Sequence, residues 1–149
     1  MDVVYAFLAN HAEFSPQGRL TMVSGDIDTF NSRGFPCSVN VSLAVKLLIT
    51  REEAQRDHRI RVTIEGAEER LANGPPIPVQ LEVPIRHAQT SIPEAGTIGA
   101  ITLAVKFNLI WFPREGDYPL RIAVDDRILK TIVLHLRLDL QPAAAVPNP

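Results

Sequence analysis

Between residues 101 and 140 the chain alternates apolar and polar side chains with a period of two, in three successive runs, and this limits its fold most. Ile101, Leu103, Val105, Phe107, Leu109 and Trp111 alternate with Thr102, Ala104, Lys106 and Asn108, the pattern of a half-buried strand. Turn-forming Pro113-Arg114-Glu115-Gly116-Asp117 interrupts it, and Tyr118, Leu120, Ile122 and Val124 resume it. Asp125-Asp126-Arg127 then makes a tight polar turn. In the last run Ile132, Leu134, Leu136, Leu138 and Leu140 oppose His135, Arg137 and Asp139. Three such strands in succession form an antiparallel meander that must bury one face on a second sheet.

The earlier part of the chain carries the same signal. Val39, Val41, Leu43, Val45, Leu47 and Ile49 alternate cleanly, as do Ile60, Val62 and Ile64, and then Ile77, Val79, Leu81, Val83 and Ile85. Pro78 and Pro84 make the last of these an edge strand, because proline donates nothing to a ladder. Residues 3–9 are apolar on both faces, which suits a strand covered on both sides or a short buried helix. Leu20 to Ser24 is the return strand after the turn at Ser15-Pro16-Gln17-Gly18-Arg19. Residues 51–57 form a charged, helix-favouring run of about two turns, which Thr50 is placed to cap. The count is about eight strands and at most one short helix. Strands without alternating helices predict an all-β, two-sheet antiparallel β-sandwich over residues 1–140, followed by a disordered Pro/Ala tail at 141–149.

Composition narrows the function classes. A formal charge of −2 gives no basic footprint for nucleic acid. No apolar run approaches the ~20 residues that span a bilayer, and no basic residue precedes 3–9 as a secretory signal requires. The single Cys37 cannot form an internal disulfide and suits a reducing compartment, so a cytoplasmic location is expected.

Two resemblances follow from particular residues. Glu115-Gly116-Asp117-Tyr118-Pro119-Leu120-Arg121-Ile122 resembles the Gly-x-Tyr corner of immunoglobulin-like sandwiches. That likeness implies a buried Tyr118 whose hydroxyl bonds nearby backbone, with Gly116 in the turn. Antibody domains place Cys where this chain has Leu120, so the disulfide framework is missing. Over most of residues 3–138 the chain also resembles a family of small uncharacterised bacterial proteins. That resemblance lies in residues 12–20, Ser24-Gly25-Asp26-Ile27-Asp28, Trp111-Phe112 and residues 115–118. It supports the fold and supplies no chemistry.

Candidate sites are sparse, and each has a plainer explanation. Asp26 and Asp28 share one side of an extended segment and have the oxygen chemistry for Ca²⁺, yet they also suit a solvated turn. Asp125-Asp126 reads as a hairpin turn. Asp57-His58 is half of a catalytic dyad without a nucleophile elbow, and reads better as a strand start in solvent. Cys37, with only Arg33 nearby, reads as an inert thiol. His11, His58, His87 and His135 lack metal-ligand spacing. No catalytic residue, metal or cofactor is expected.

One feature exceeds these. Alternation that turns Phe107, Leu109, Trp111, Tyr5 and Phe7 inward leaves Leu8, Ile110 and Phe112 outward, where contiguous apolar surface marks an interface. The loop at 86–99 is an equally good cover for them. The final strand at 128–140 has no proline and offers an edge beside them. The expected function is therefore a non-enzymatic interaction or assembly module, self-associating as a homo-oligomer or binding a protein partner. The alternative is a small-molecule or carbohydrate binder using loops 25–36 and 86–99 at one end.

Overall fold

The computed structural model describes residues 1–16, 19–70, 74–86 and 98–140. Nine strands follow one another: β1 (Asp2–Phe14), β2 (Leu20–Gly25), β3 (Thr29–Ser32), β4 (Cys37–Thr50), β5 (His58–Glu69), β6 (Ile77–Ile85), β7 (Ile98–Phe112), β8 (Gly116–Val124) and β9 (Arg127–Leu138). The all-β reading holds. The charged run after β4 makes only a 3-10 turn at Glu53–Gln55. Thr50 and Glu53 bond reciprocally across it: the Glu53 N–H donates to Thr50 Oγ1 at 3.2 Å, and the Thr50 N–H donates to Glu53 Oε2 at 2.9 Å.

Hydrogen bonding runs through one mixed sheet in the order β2-β1-β4-β7-β5-β8-β9-β3, with β6 on β5, curled into a half-barrel. This differs from the two separate antiparallel sheets expected, and β5 is the reason. Ile60 to Ile64 pair with β8, whereas Glu68 and Glu69 pair with Trp111 and Ile110 of β7. Between them lies Gly66, at φ +78°, with an irregularity in the pairing to β6. The strand bends there and leaves one neighbour for another, as bulges allow. β3 pairs with β9 in parallel, which also breaks the all-antiparallel expectation.

Among the described residues the core is one large cluster with a small second one of Ala9, Ala12 and Ala44. Its fully buried side chains include Leu8, Leu43, Leu47, Ile60, Ile110, Phe112, Leu120, Ile122, Leu134 and Leu136. Leu8, Ile110 and Phe112 therefore correct the sequence expectation, since they are 1%, 0% and 0% exposed and line the interior. Two bulges explain the reversal. In β7, Val39 pairs with Ile110 and Val41 with Phe107, so two residues of β7 oppose Asn40 alone. Leu109 takes φ +53°, its N–H donates to Asn40 Oδ1 at 2.8 Å, and its side chain is 60% exposed. The phase slips by one residue, so Phe107, Ile110 and Phe112 all point inward. In β1 the irregularity falls between Val3 and Tyr5. Leu8 then pairs with Leu43 and faces the core, while Tyr5 and Phe7 stand opposite Lys46 and Ala44, their rings stacked at 5.3 Å.

Candidate functional site

The half-barrel has two unlike ends. At one end β3 closes onto β9 and β5 closes onto β7. Here the Tyr118 hydroxyl donates to the Arg114 carbonyl at 2.7 Å, and the ring meets Phe112 edge-on at 4.8 Å. A Cβ on Gly66 would lie 3.3 Å from the same ring. Tyr118 is buried, and Gly116 opens β8 two residues before it. An open cleft of 640 Å³ beside it is lined by Glu65, Arg114, Glu115 and Asp117. On the adjoining strand pair Asp117 accepts from Arg137 at 2.7 Å and lies 2.8 Å from His135 Nδ1, and these two neighbours hold its carboxyl below the usual range.

The opposite end is tied by polar bonds between distant residues. His58 is buried, not a strand start in solvent, and its partner is Asp125 rather than Asp57. Nδ1 lies 2.6 Å from Asp125 Oδ2 and Nε2 lies 2.7 Å from the Glu53 carbonyl oxygen, so both ring nitrogens are placed to donate. Asp125 and Asp126 both take positive φ, as a two-residue hairpin turn demands. Burial pushes the Asp125 carboxyl up, but the Arg59 N–H and His58 outweigh it and the net shift is downward. The Met1 amino group bonds Glu53, and together with the Thr50 backbone N–H it lowers the Glu53 carboxyl to about 2. Sequence reasoning missed this knot. No local pattern links residues 67 positions apart.

Asp26, at φ +61°, and Asp28 lie where the chain crosses between strands. The Ile27 N–H donates to the Leu8 carbonyl at 3.0 Å, and the Asp28 carbonyl accepts from the His135 N–H at 2.7 Å. This segment ties β1 to β9. Among the described residues no group of three or more His, Cys, Asp and Glu is placed to hold a metal, and no helix is long and apolar enough to cross a membrane. Cys37 is a half-buried free thiol opposite Phe112. Of the two loops expected to bind ligand, 25–36 is largely spent on the crossing and β3, and 87–97 lies outside the described residues.

A surface remains along the sheet edges. β3 covers β9 from His135 to Leu138, which corrects the expectation that the whole final strand is an edge. From 128 to 134 β9 pairs with β8 alone among the described strands. Ile128 and Val133 are exposed there, and no proline interrupts the stretch. On the far side β6 and the first part of β7 flank a groove of 370 Å³ lined by Val83, Ile85, Ile101 and Leu103, with Pro84 in its wall.

A family model described as "Family of unknown function (DUF6941)" matches residues 4–137. The chain belongs to this family. No curated protein and no solved structure matches it. The matched span runs from β1 to within a residue of the end of β9, so it takes in both ends of the half-barrel and the open stretch of β9.

Proposed function

We propose that this member of the family is a non-enzymatic interaction module that joins a protein partner by accepting a partner strand on β9. The carrying observation is the open edge at 128–134. An unpaired strand edge presents a row of N–H and C=O groups that another chain can satisfy, and proteins usually blunt such edges. β6 is blunted by Pro78 and Pro84, whereas this part of β9 carries only Lys130 as a guard. The same reading treats the curled sheet as kin to immunoglobulin-like sandwiches, on the strength of the Tyr118 corner and the parallel β3–β9 pair. It places the protein in a reducing compartment, where the free Cys37 is stable.

A photo-activated cross-linking side chain at Thr131, in cells, tests the reading against the same side chain at Arg114 in the opposite end. The expected result is a discrete protein adduct from position 131 that is missing from position 114. Equal or absent adducts at both positions would remove the β9 edge as a contact surface.

A further inference from the structure

We propose that the mouth of the half-barrel at the His58 end binds a small organic monocarboxylate, its carboxylate held by Arg56 and Arg127 and its carbon chain laid on Val124 and Leu129. This site is separate from the β9 edge and goes beyond the reading of the protein as an interaction module.

The floor comes first. Val124, the last residue of β8, is buried, and Leu129, near the start of β9, packs against the main core. Together with Met1 and His58 they form one side of a cleft of 210 Å³. Glu53, Arg56, Asp125 and Arg127 form the rest of its wall. Apolar side chains thus end where polar turns begin, and barrel mouths of this kind commonly hold ligands. The volume is below the ~300–1,000 Å³ that drug-sized molecules occupy, so the occupant is small.

The charges around the mouth decide what it takes. Glu53 already bonds the Met1 amino group and the Thr50 N–H. Asp125 accepts from the Arg59 N–H at 3.0 Å and lies 2.6 Å from His58 Nδ1. Asp126, the next acid, holds Arg61 at 2.7 Å. His58 has no nitrogen to spare, since Nε2 is committed to the Glu53 carbonyl. Arg59, Arg61, Arg121 and Arg137 on the neighbouring strands each pair with a carboxylate. Among the described residues Arg56 and Arg127 pair with none, and both are exposed on the rim of the cleft.

A guanidinium presents a planar fork of N–H donors that matches the two oxygens of a carboxylate. Two such forks on one rim select an oxyanion, and Arg56 lies close enough to Asp125 for its charge to help keep that carboxyl ionised. The fixed negative charges of Glu53 and Asp125 oppose a dianion more than a monoanion, which favours a carboxylate over a phosphate. The apolar floor favours an organic acid over an inorganic ion.

The test titrates the full chain with sodium butyrate and follows backbone amide shifts, with sodium chloride keeping the ionic strength constant. Saturable shifts are expected at residues 53–58 and 124–129. The dissociation constant should weaken by about tenfold or more in Arg56→Gln and in Arg127→Gln. Arg121→Gln, which removes an arginine paired with Glu65 outside the cleft, should leave it unchanged. Butyramide, uncharged and of similar shape, and inorganic phosphate should both bind more weakly than butyrate. Circular dichroism checks that each variant is folded. The absence of saturable shifts with butyrate overturns the site, as does an unchanged dissociation constant in both arginine variants. Butyramide binding as tightly as butyrate overturns recognition by the arginines, and phosphate binding more tightly overturns the carboxylate.

Discussion

The two ends of the half-barrel solve the same problem with different chemistry. At the corner end, the sheet closes by apolar packing and backbone pairing: Phe112 and Tyr118 fill the angle, and Glu68 and Glu69 reach β7. The side-chain bond that pins the corner itself, from Tyr118 to Arg114, spans four residues. At the His58 end four separate segments meet: the chain start, the 3-10 turn, the start of β5 and the β8–β9 turn. A buried imidazole with two acceptors ties three of them together. The comparison teaches that an apolar corner tolerates loss of its polar bond, whereas the polar knot loses more when a partner of His58 is removed, because a buried ring nitrogen is left unsatisfied.

The largest expected effect tests the apolar side of this contrast. Phe112→Ala should cost about 3–5 kcal/mol, read from the shift in denaturant midpoint, because a fully buried ring is replaced by a cavity beneath Tyr118. A loss near zero would put Phe112 back on the surface. Next comes Asp125→Ala, which strips the partner from a buried His58 nitrogen and the acceptor from the Arg59 N–H. About 2 kcal/mol is expected by the same measurement, reduced from the fully buried case because the Asp125 side chain is 45% exposed. Tyr118→Phe should cost about 1 kcal/mol, since the ring stays packed and only the bond to the Arg114 carbonyl is lost. A Tyr118→Phe loss as large as that of Asp125→Ala would erase the difference between the ends.

The smallest expected effect is a slope with pH. The Glu53 carboxyl titrates at about 2 in the folded chain against an ordinary value of 4.5. A depressed folded value contributes stability that is complete above the ordinary value and lost as pH falls through the folded one. Stability should therefore decline between those two values, and Glu53→Gln should flatten part of that decline. Asp117 and Asp125, also lowered, carry the same sign. An unchanged acid limb in Glu53→Gln, followed by urea midpoints across this window, would detach Glu53 from the knot.

The corner was legible because its parts are local. Gly116, Tyr118 and the turn before them lie within a few residues, and the contacts that define the corner follow from that spacing. The Asp125-Asp126 hairpin was legible for the same reason. The knot was not, since Asp57 adjoins His58 in the chain while the bonded carboxylate belongs to Asp125.

By itself the sequence determined that this chain is built of strands and where most of them begin and end. Period-two alternation commits a segment to an extended backbone whatever lies beside it. Only the tertiary structure decided which face of each strand is the inside. One extra residue in a ladder inverts every side chain beyond it, and a bulge depends on the partner strand. Asn40 holds the bulge at Leu109, so Ile110 and Phe112 turn inward and Leu109 turns out. Gly66 likewise passes β5 from β8 to β7, which makes one curled sheet of what alternation alone divides into two. Pairing between distant segments, not local propensity, therefore chose the interior, the curl and the edge left open on β9.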